Sequence, residues 1–232
     1  MSVTVAMITM NEEGAVRKVV EEIRAAVGNA EILLVDSSSD ATAQIAADLG
    51  CRVVRQFPPR GYGPAMTRAL REAAGETIVT LDCDDTYPVE VIPELVARIE
   101  RGADLVNATR LERRPRAMPF ANYLANRLFA WTARLLYGLK TTDVHSGMRA
   151  YRKSMLEQLE WEEGPPALPV DLLLLPYRLG FRVEEIPIDY RERIGNTTLR
   201  RWSSALWTFR RLFGLRFKSL SALQRLPRHD HS

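Results

Sequence analysis

Asp82 and Asp84 stand two residues apart in TIVTLDCDDTYP, residues 77–88, at the end of an apolar run fit for a buried strand. On an extended chain this spacing turns both carboxylates to the same side. Converging carboxylates repel, and one is driven to take up a proton unless a cation intervenes. Oxygen ligands of this kind suit Mg2+ or Mn2+, which complete their coordination with water and substrate phosphates. The competing reading is that the acids cap the helix that follows, where negative charge is favoured. Against capping alone stand further polar clusters at the ends of apolar runs: Asn11 and Glu12 after the first, Asp36 to Asp40 after the second.

Other residues carry comparable ambiguity. A carboxylate at Asp36 is able to accept both hydroxyls of a ribose, whereas Asn11 and Asp40 serve equally as helix caps. Gly61 and Gly63, in RGYGPAMTRAL, allow close backbone approach to a ligand and suit a plain turn as well. The segment TTDVHSGMRAYRK, residues 141–153, groups Asp143, His145, Arg149 and Arg152 around a glycine. Its arginines are planar donor forks suited to phosphate, although Arg152 also reads as a solvated helix charge and His145 as a packed ring. Asp171 is the acid within the apolar run LPVDLLLL. Burial would raise its pKa and fit it for proton handling, and helix capping explains it nearly as well. Arg193 and Arg200 flank the short stretch IGNTTL.

These residues need a framework that gathers strand ends. The first half of the chain alternates strand and helix signals: VTVAMITM, GAVRKVVEEIRAAV, EILLVD, ATAQIAADLG, CRVVRQF, GPAMTRALREAAG, TIVTLD. That order predicts an α/β fold with parallel strands joined by helical crossovers, and in such sheets ligands bind at the carboxyl ends of the strands. PVEVIPELVARIERG and ADLVNATR continue the pattern. FANYLANRLFAWTARLLYGLK has the spacing of an amphipathic helix, TTDVHSGMRAYRKSMLEQL reads as a loop entering a helix, PVDLLLLPYRLG as a buried helix and FRVEEIPIDYRER as a late strand. Length and a 46% hydrophobic content fit one sizeable domain, here expected over residues 1–199, followed by a basic amphipathic tail over 200–232. A net charge of only +3 argues against a nucleic-acid partner. Cys51 and Cys83 lack a CxxC pattern and are expected to be free thiols in a reducing, cytoplasmic setting. The N-terminus lacks a signal-peptide pattern, and no apolar run reaches the roughly 18 residues of a spanning helix, so any membrane contact is expected to be peripheral, at the inner face.

Six segments in order resemble the family 2 glycosyltransferases of GT-A fold, and within them the polyprenyl-phosphate (dolichyl-phosphate) mannose and glucose synthases. They are ITMNEE, VDSSSDAT, RGYGPAMTRALREAAGE, LDCDDTYP, DVHSGMRAYRK and RIGNTTL, and the similarity runs to about Arg201. The resemblance implies a nucleoside-diphosphate sugar as donor. Asn11, Glu12 and Asp36 would lie by the nucleoside, Asp82 and Asp84 would hold the metal bridging the diphosphate, and Arg149 would lie by the sugar and acceptor phosphates. It also implies that the segment between Arg193 and Arg200 closes over the donor phosphates. Thr197 and Thr198 replace the family's usual Ser-Lys pair there, and Arg200 or Arg201 would substitute for the lost lysine. Met10 replaces a tyrosine, and Thr86 stands where mannose synthases often carry Gln, which points toward the glucose branch.

The acceptor decides what else is needed. A phosphomonoester, with a second pKa of about 6, is largely dianionic at neutral pH and needs no strong base. A sugar hydroxyl needs one, and Asp171 or Asp143 would supply it. Either way a single displacement is expected to invert the anomeric carbon. The tail LRRWSSALWTFRRLFGLRFKSL interleaves aromatic and basic residues, which fits an interfacial helix on an anionic membrane, a helix packed on its own domain, or one packed on a twin subunit. The leading expectation is metal-dependent transfer of a hexose to polyprenyl phosphate. The alternatives are the same donor chemistry with a soluble hydroxyl or amine, a nucleotidyltransferase, or a non-catalytic nucleotide-sugar-binding module.

Overall fold

Val16, Val19, Val20 and Ile23 are the buried residues of the first helix, α1 (Val16–Ala26), and their three-and-four spacing is the stripe that seats it on the sheet. Beneath it lies β1 (Val3–Thr9), where Val5 and Met7 face one hydrophobic core and Ala6 faces another. A strand buried on both faces is expected where helices cover both sides of a parallel sheet. This computed structural model describes residues 1–163, 168–194, 201–221, 223 and 224, with side chains in the last helix from Ala205 onward.

The chain continues through β2 (Glu31–Asp36), α2 (Thr42–Asp48), β3 (Arg52–Arg55), α3 (Tyr62–Glu72), β4 (Thr77–Thr80), α4 (Ile92–Glu100) and β5 (Leu105–Thr109). There follow α5 (Phe120–Tyr137), β6 (Arg149–Arg152), α6 (Lys153–Leu156), α7 (Leu168–Arg178), β7 (Val183–Pro187) and α8 (Arg201–Phe217). The seven strands form one sheet in the order β3-β2-β1-β4-β6-β5-β7. β6 pairs antiparallel with both β4 and β5, and every other pairing is parallel. The carboxyl ends of the six co-directional strands therefore share an edge with the start of β6, so the segment before Arg149 is delivered to the edge that carries Asp36 and Asp82.

The expected α/β architecture is present. RAYR, residues 149–152, however, is a strand and not part of a loop entering a helix. β6 has only four residues, and Ala150 and Tyr151 are buried on opposite faces. A short strand covered on both sides shows no alternation of apolar and polar residues, which removes the period-two signal.

The tail helix α8 packs on α5 and α7, and its Leu212 and Leu215 are buried in the core that α3 and α7 also fill. Tyr137 Oη on α5 donates to the carbonyl of Leu212, and Arg178 on α7 donates to those of Leu215 and Lys218. Leu212 is fully buried, so Leu212→Ala is expected to lower unfolding free energy in urea by about 2–5 kcal/mol. An unchanged midpoint would mean that α8 is an appendage that the core does not need.

Candidate active site

The acids at the end of β4 have unequal surroundings. Asp84 is buried, and its Oδ1 accepts from the Thr86 amide at 3.1 Å and the Thr86 hydroxyl at 2.5 Å. Its Oδ2 lies 2.5 Å from Arg193 Nη2, a close ion pair that is not aligned as a hydrogen bond, so this buried oxygen has no hydrogen-bond donor. Asp85 takes a left-handed backbone (φ 63°) and turns away to Lys18 and Arg191. Cys83, between the two metal candidates, points into the core. Among the described residues no side chain donates to Asp82. A Cβ on Gly147 would come within 3.1 Å of Asp82 Oδ2, so a glycine is what lets the 143–148 loop lie against this carboxylate.

Glu12 is the third acid of the cluster, with Arg193 Nη1 3.9 Å away. Burial, and then the neighbouring Asp84, push Glu12 up to about 7 and Asp82 up to about 6, while Arg193 pulls both down. Three acids thus face one guanidinium. Asp36, fully buried, accepts from Thr9 Oγ1, Ser38 Oγ and Ser38 N and is paired with Arg55. Asn11, also left-handed (φ 61°), is exposed and accepts from Ser39 N at 2.9 Å. Asp40 accepts from the amide and hydroxyl of Thr42, the first residue of α2. Gly61 has φ 95° at the entry to α3, and Gly63 is buried in the first turn of that helix. The intervening Tyr62 is pushed up by burial and then by Asp82, so this helix start faces the acids.

Three of the expected site residues are held by neighbouring groups. Arg149, expected by the phosphates, is buried with its guanidinium donating to Asn107 Oδ1 (2.8 Å), Pro169 O (2.6 Å) and Val144 O (3.0 Å), which makes it a staple between β5, the 143–148 loop and α7. Asp143, offered as a base, is fully buried and held by Arg110 through Nε at 2.6 Å and Nη2 at 2.9 Å. Burial would raise its pKa, but Arg110 holds it below the ordinary value. Asp171, the other proposed base, is fully buried and held by Arg211 at 2.6 and 2.5 Å; burial raises its pKa and Arg211 opposes. A carboxylate fixed by both oxygens in an arginine fork is poorly placed to abstract a proton from a substrate. Arg200 lies outside the described residues, as do Thr197 and Thr198.

The residues missed from sequence are Arg55, Arg110 and Lys18. Arg110 follows β5 directly, stacks over Tyr190 at 5.4 Å, and lowers the pKa of Asp82. Arg55 ends β3 opposite Asp36. The strand-end positions of Arg55 and Arg110 were the available signal.

Residues 4–160 match the family model described as Glycosyl transferase family 2. The chain belongs to this family. A dolichyl-phosphate hexose transferase of Haloferax volcanii is 41% identical over 196 residues, covering 84% of this chain and 85% of that protein. An undecaprenyl-phosphate mannosyltransferase of Micrococcus luteus is 29% identical, covering 83% and 85%. Glucosyl-3-phosphoglycerate synthase of Mycobacterium tuberculosis, crystallised with Mn2+, UDP-glucose and phosphoglyceric acid, superposes with a TM-score of 0.74 at 22% identity, over 93% of this chain and 79% of that one, which shows the shared fold. This family 2 glycosyltransferase therefore carries its acids at the strand edge of a GT-A framework.

A divalent cation fits the donor set. Among the described residues no side chain donates to Asp82, Asp84 Oδ2 has no hydrogen-bond donor, and burial makes Asp82 costly to leave charged without a counter-ion. Among the described residues no three His, Cys, Asp or Glu side chains gather to hold an ion, so two carboxylates with substrate phosphates and water are the fitting shell.

His145 lies beneath this site, its Nε2 3.0 Å from Thr208 on α8 and its buried Nδ1 without a partner. Burial, opposed by Asp143, lowers its pKa from 6.5 to about 4. The unfolded chain therefore takes up the proton first, and stability is lost as pH falls from 6.5 toward 4. Thermal unfolding across that window is expected to lose more stability in the wild type than in His145→Asn; equal losses would place the acid sensitivity elsewhere.

Proposed function

We propose that this glycosyltransferase moves a hexose from a nucleoside-diphosphate sugar to polyprenyl phosphate, with Mg2+ or Mn2+ at Asp82 and Asp84 and inversion at the anomeric carbon. The observation that carries the acceptor is the engagement of Asp143 and Asp171, the acids offered as bases, in two-point pairs with Arg110 and Arg211. A hydroxyl acceptor needs a free base; a phosphate dianion does not. The names of the Haloferax and Micrococcus relatives point the same way.

When bound, the cation would stabilise charge on the leaving diphosphate. Arg193, facing the same acids, is the side chain placed to share that charge. Asp36 and Asn11 lie where the nucleoside would rest, with Arg55 holding Asp36 in place. Arg149 positions the 143–148 loop, and through Gly147 that loop bounds the space above Asp82.

A lipid acceptor calls for a lipid-facing surface. Phe120, Leu124, Leu128, Trp131 and Leu135 are exposed at three-and-four spacing along α5, and Leu206, Trp207, Phe213 and Phe217 are exposed on the neighbouring α8. Residues 113–142 contain no Asp or Glu, and neither do residues 193–229. Apolar stripes on segments that carry cations and no acids of their own suit an anionic bilayer surface. Among the described residues, no helix is long and apolar enough to cross a membrane.

Incubation with labelled nucleotide sugars, Mn2+ or Mg2+ and a short polyprenyl phosphate is expected to give organic-extractable label with inverted configuration. Asp84→Asn should abolish it, while Asp171→Asn, at equal folded protein, should keep turnover within a few-fold. A loss of about 100-fold or more in the latter is what removing a general base produces, and would move the acceptor to a hydroxyl. In flotation, vesicles containing phosphatidylglycerol should carry the wild type but not the pair Trp131→Ser and Leu135→Ser. No flotation, with full activity on a water-soluble acceptor, would sink the lipid reading.

A further inference from the structure

Arg193 occupies the one oxygen that a metal at Asp84 would need. Thr86 engages Oδ1 through both its amide and its hydroxyl, at 3.1 and 2.5 Å, so the lone pairs of that atom are committed. Oδ2 remains, and Arg193 Nη2 lies 2.5 Å from it. Because the contact is not aligned as a hydrogen bond, the arginine covers Oδ2 without satisfying it. The same guanidinium is 3.9 Å from Glu12 and, among the described residues, is the cation that pairs with both acids.

The main chain beside it is fixed. Ile194 N donates to Asp84 O at 3.0 Å and Arg191 N donates to Thr86 O at 2.9 Å, which lays residues 191–194 alongside the acidic turn. Arg191 is itself tied to Glu90 at 2.5 Å. The Arg193 side chain itself is 29% exposed.

We propose that Arg193 and the divalent cation are alternative counter-ions for Asp84 Oδ2, so that the metal enters as the guanidinium passes to the diphosphate that arrives with it. This inference rests on the metal and donor reading above and adds its energetics. Without nucleotide, the metal must displace an arginine whose other acidic neighbours, Glu12 and Asp82, belong to the same cluster. With nucleotide, the displaced arginine finds a phosphate partner, for which its fork is suited. Metal and nucleotide then bind cooperatively, and the coupling resides in one side chain. Such couplings are typically 5- to 150-fold.

The test measures binding and not turnover. Mn2+ is titrated by calorimetry into nucleotide-free wild type, Arg193→Met and Arg193→Lys, and again in the presence of UDP or GDP. Arg193 is half-exposed and outside the core, and unfolding curves check that each variant folds. Arg193→Met is expected to bind Mn2+ alone about tenfold tighter than the wild type, the equivalent of about 1.4 kcal/mol, and Mn2+ should raise its melting temperature more. Arg193→Lys, which keeps the charge, should stay near the wild type. Equal or weaker Mn2+ binding by Arg193→Met overturns the inference while leaving the metal site standing. Absence of Mn2+ binding in all three proteins, with or without nucleotide, overturns the metal reading and the inference together.

Discussion

Repulsion among Glu12, Asp82 and Asp84 is the constraint around which the carboxyl edge of the sheet is organised. Parallel strands bring their ends to one edge, and burial denies the acids the water that would screen them. The surroundings answer in graded fashion: Thr86 holds one oxygen of Asp84, Arg193 covers the other, Asp85 is turned to Lys18 and Arg191, and among the described residues no side chain donates to Asp82. Positive charge reaches the edge from strand-end arginines and from the 191–193 segment, which is fastened to the acidic turn by backbone hydrogen bonds.

A second set of charges does a different task. Asp143 with Arg110, Asp171 with Arg211, and Arg149 with three oxygens connect elements that are distant in sequence. Breaking one partner of such a pair leaves an uncompensated buried charge. These contacts explain how a loop carrying a glycine and a histidine is held against Asp82, and why α8 is bound to α7 and not simply laid on the surface.

Most of the framework was readable because parallel strands buried on both faces leave long apolar runs, and the amphipathic helices between them keep a three-and-four period. β6 was not, since four residues covered on both sides carry no period. Asp82 and Asp84 announced themselves by spacing at a strand end, and so did Glu12. The fates of Asp143, Asp171 and Arg149 were hidden, because an isolated acid or arginine in the sequence does not name its partner. Arg110 and Arg55 would have been found by applying to cations the strand-end rule that was applied to acids.

The antiparallel course of β6 has a further consequence. The chain leaves the sheet after Thr109, runs through α5, and returns at Arg149 beside the strand it left, since β5 and β6 are direct neighbours. The excursion is therefore topologically closed: it begins and ends at one point of the edge, and residues 110–148 do not thread between the strands that present Glu12, Asp36, Asp82 and Asp84. Outside the 143–148 loop, which lies against Asp82 and β4, length and composition in that excursion can drift without disturbing the register of β1, β2 and β4. Descendants of such a chain inherit the donor half as a fixed instrument and the other half as an interchangeable fitting.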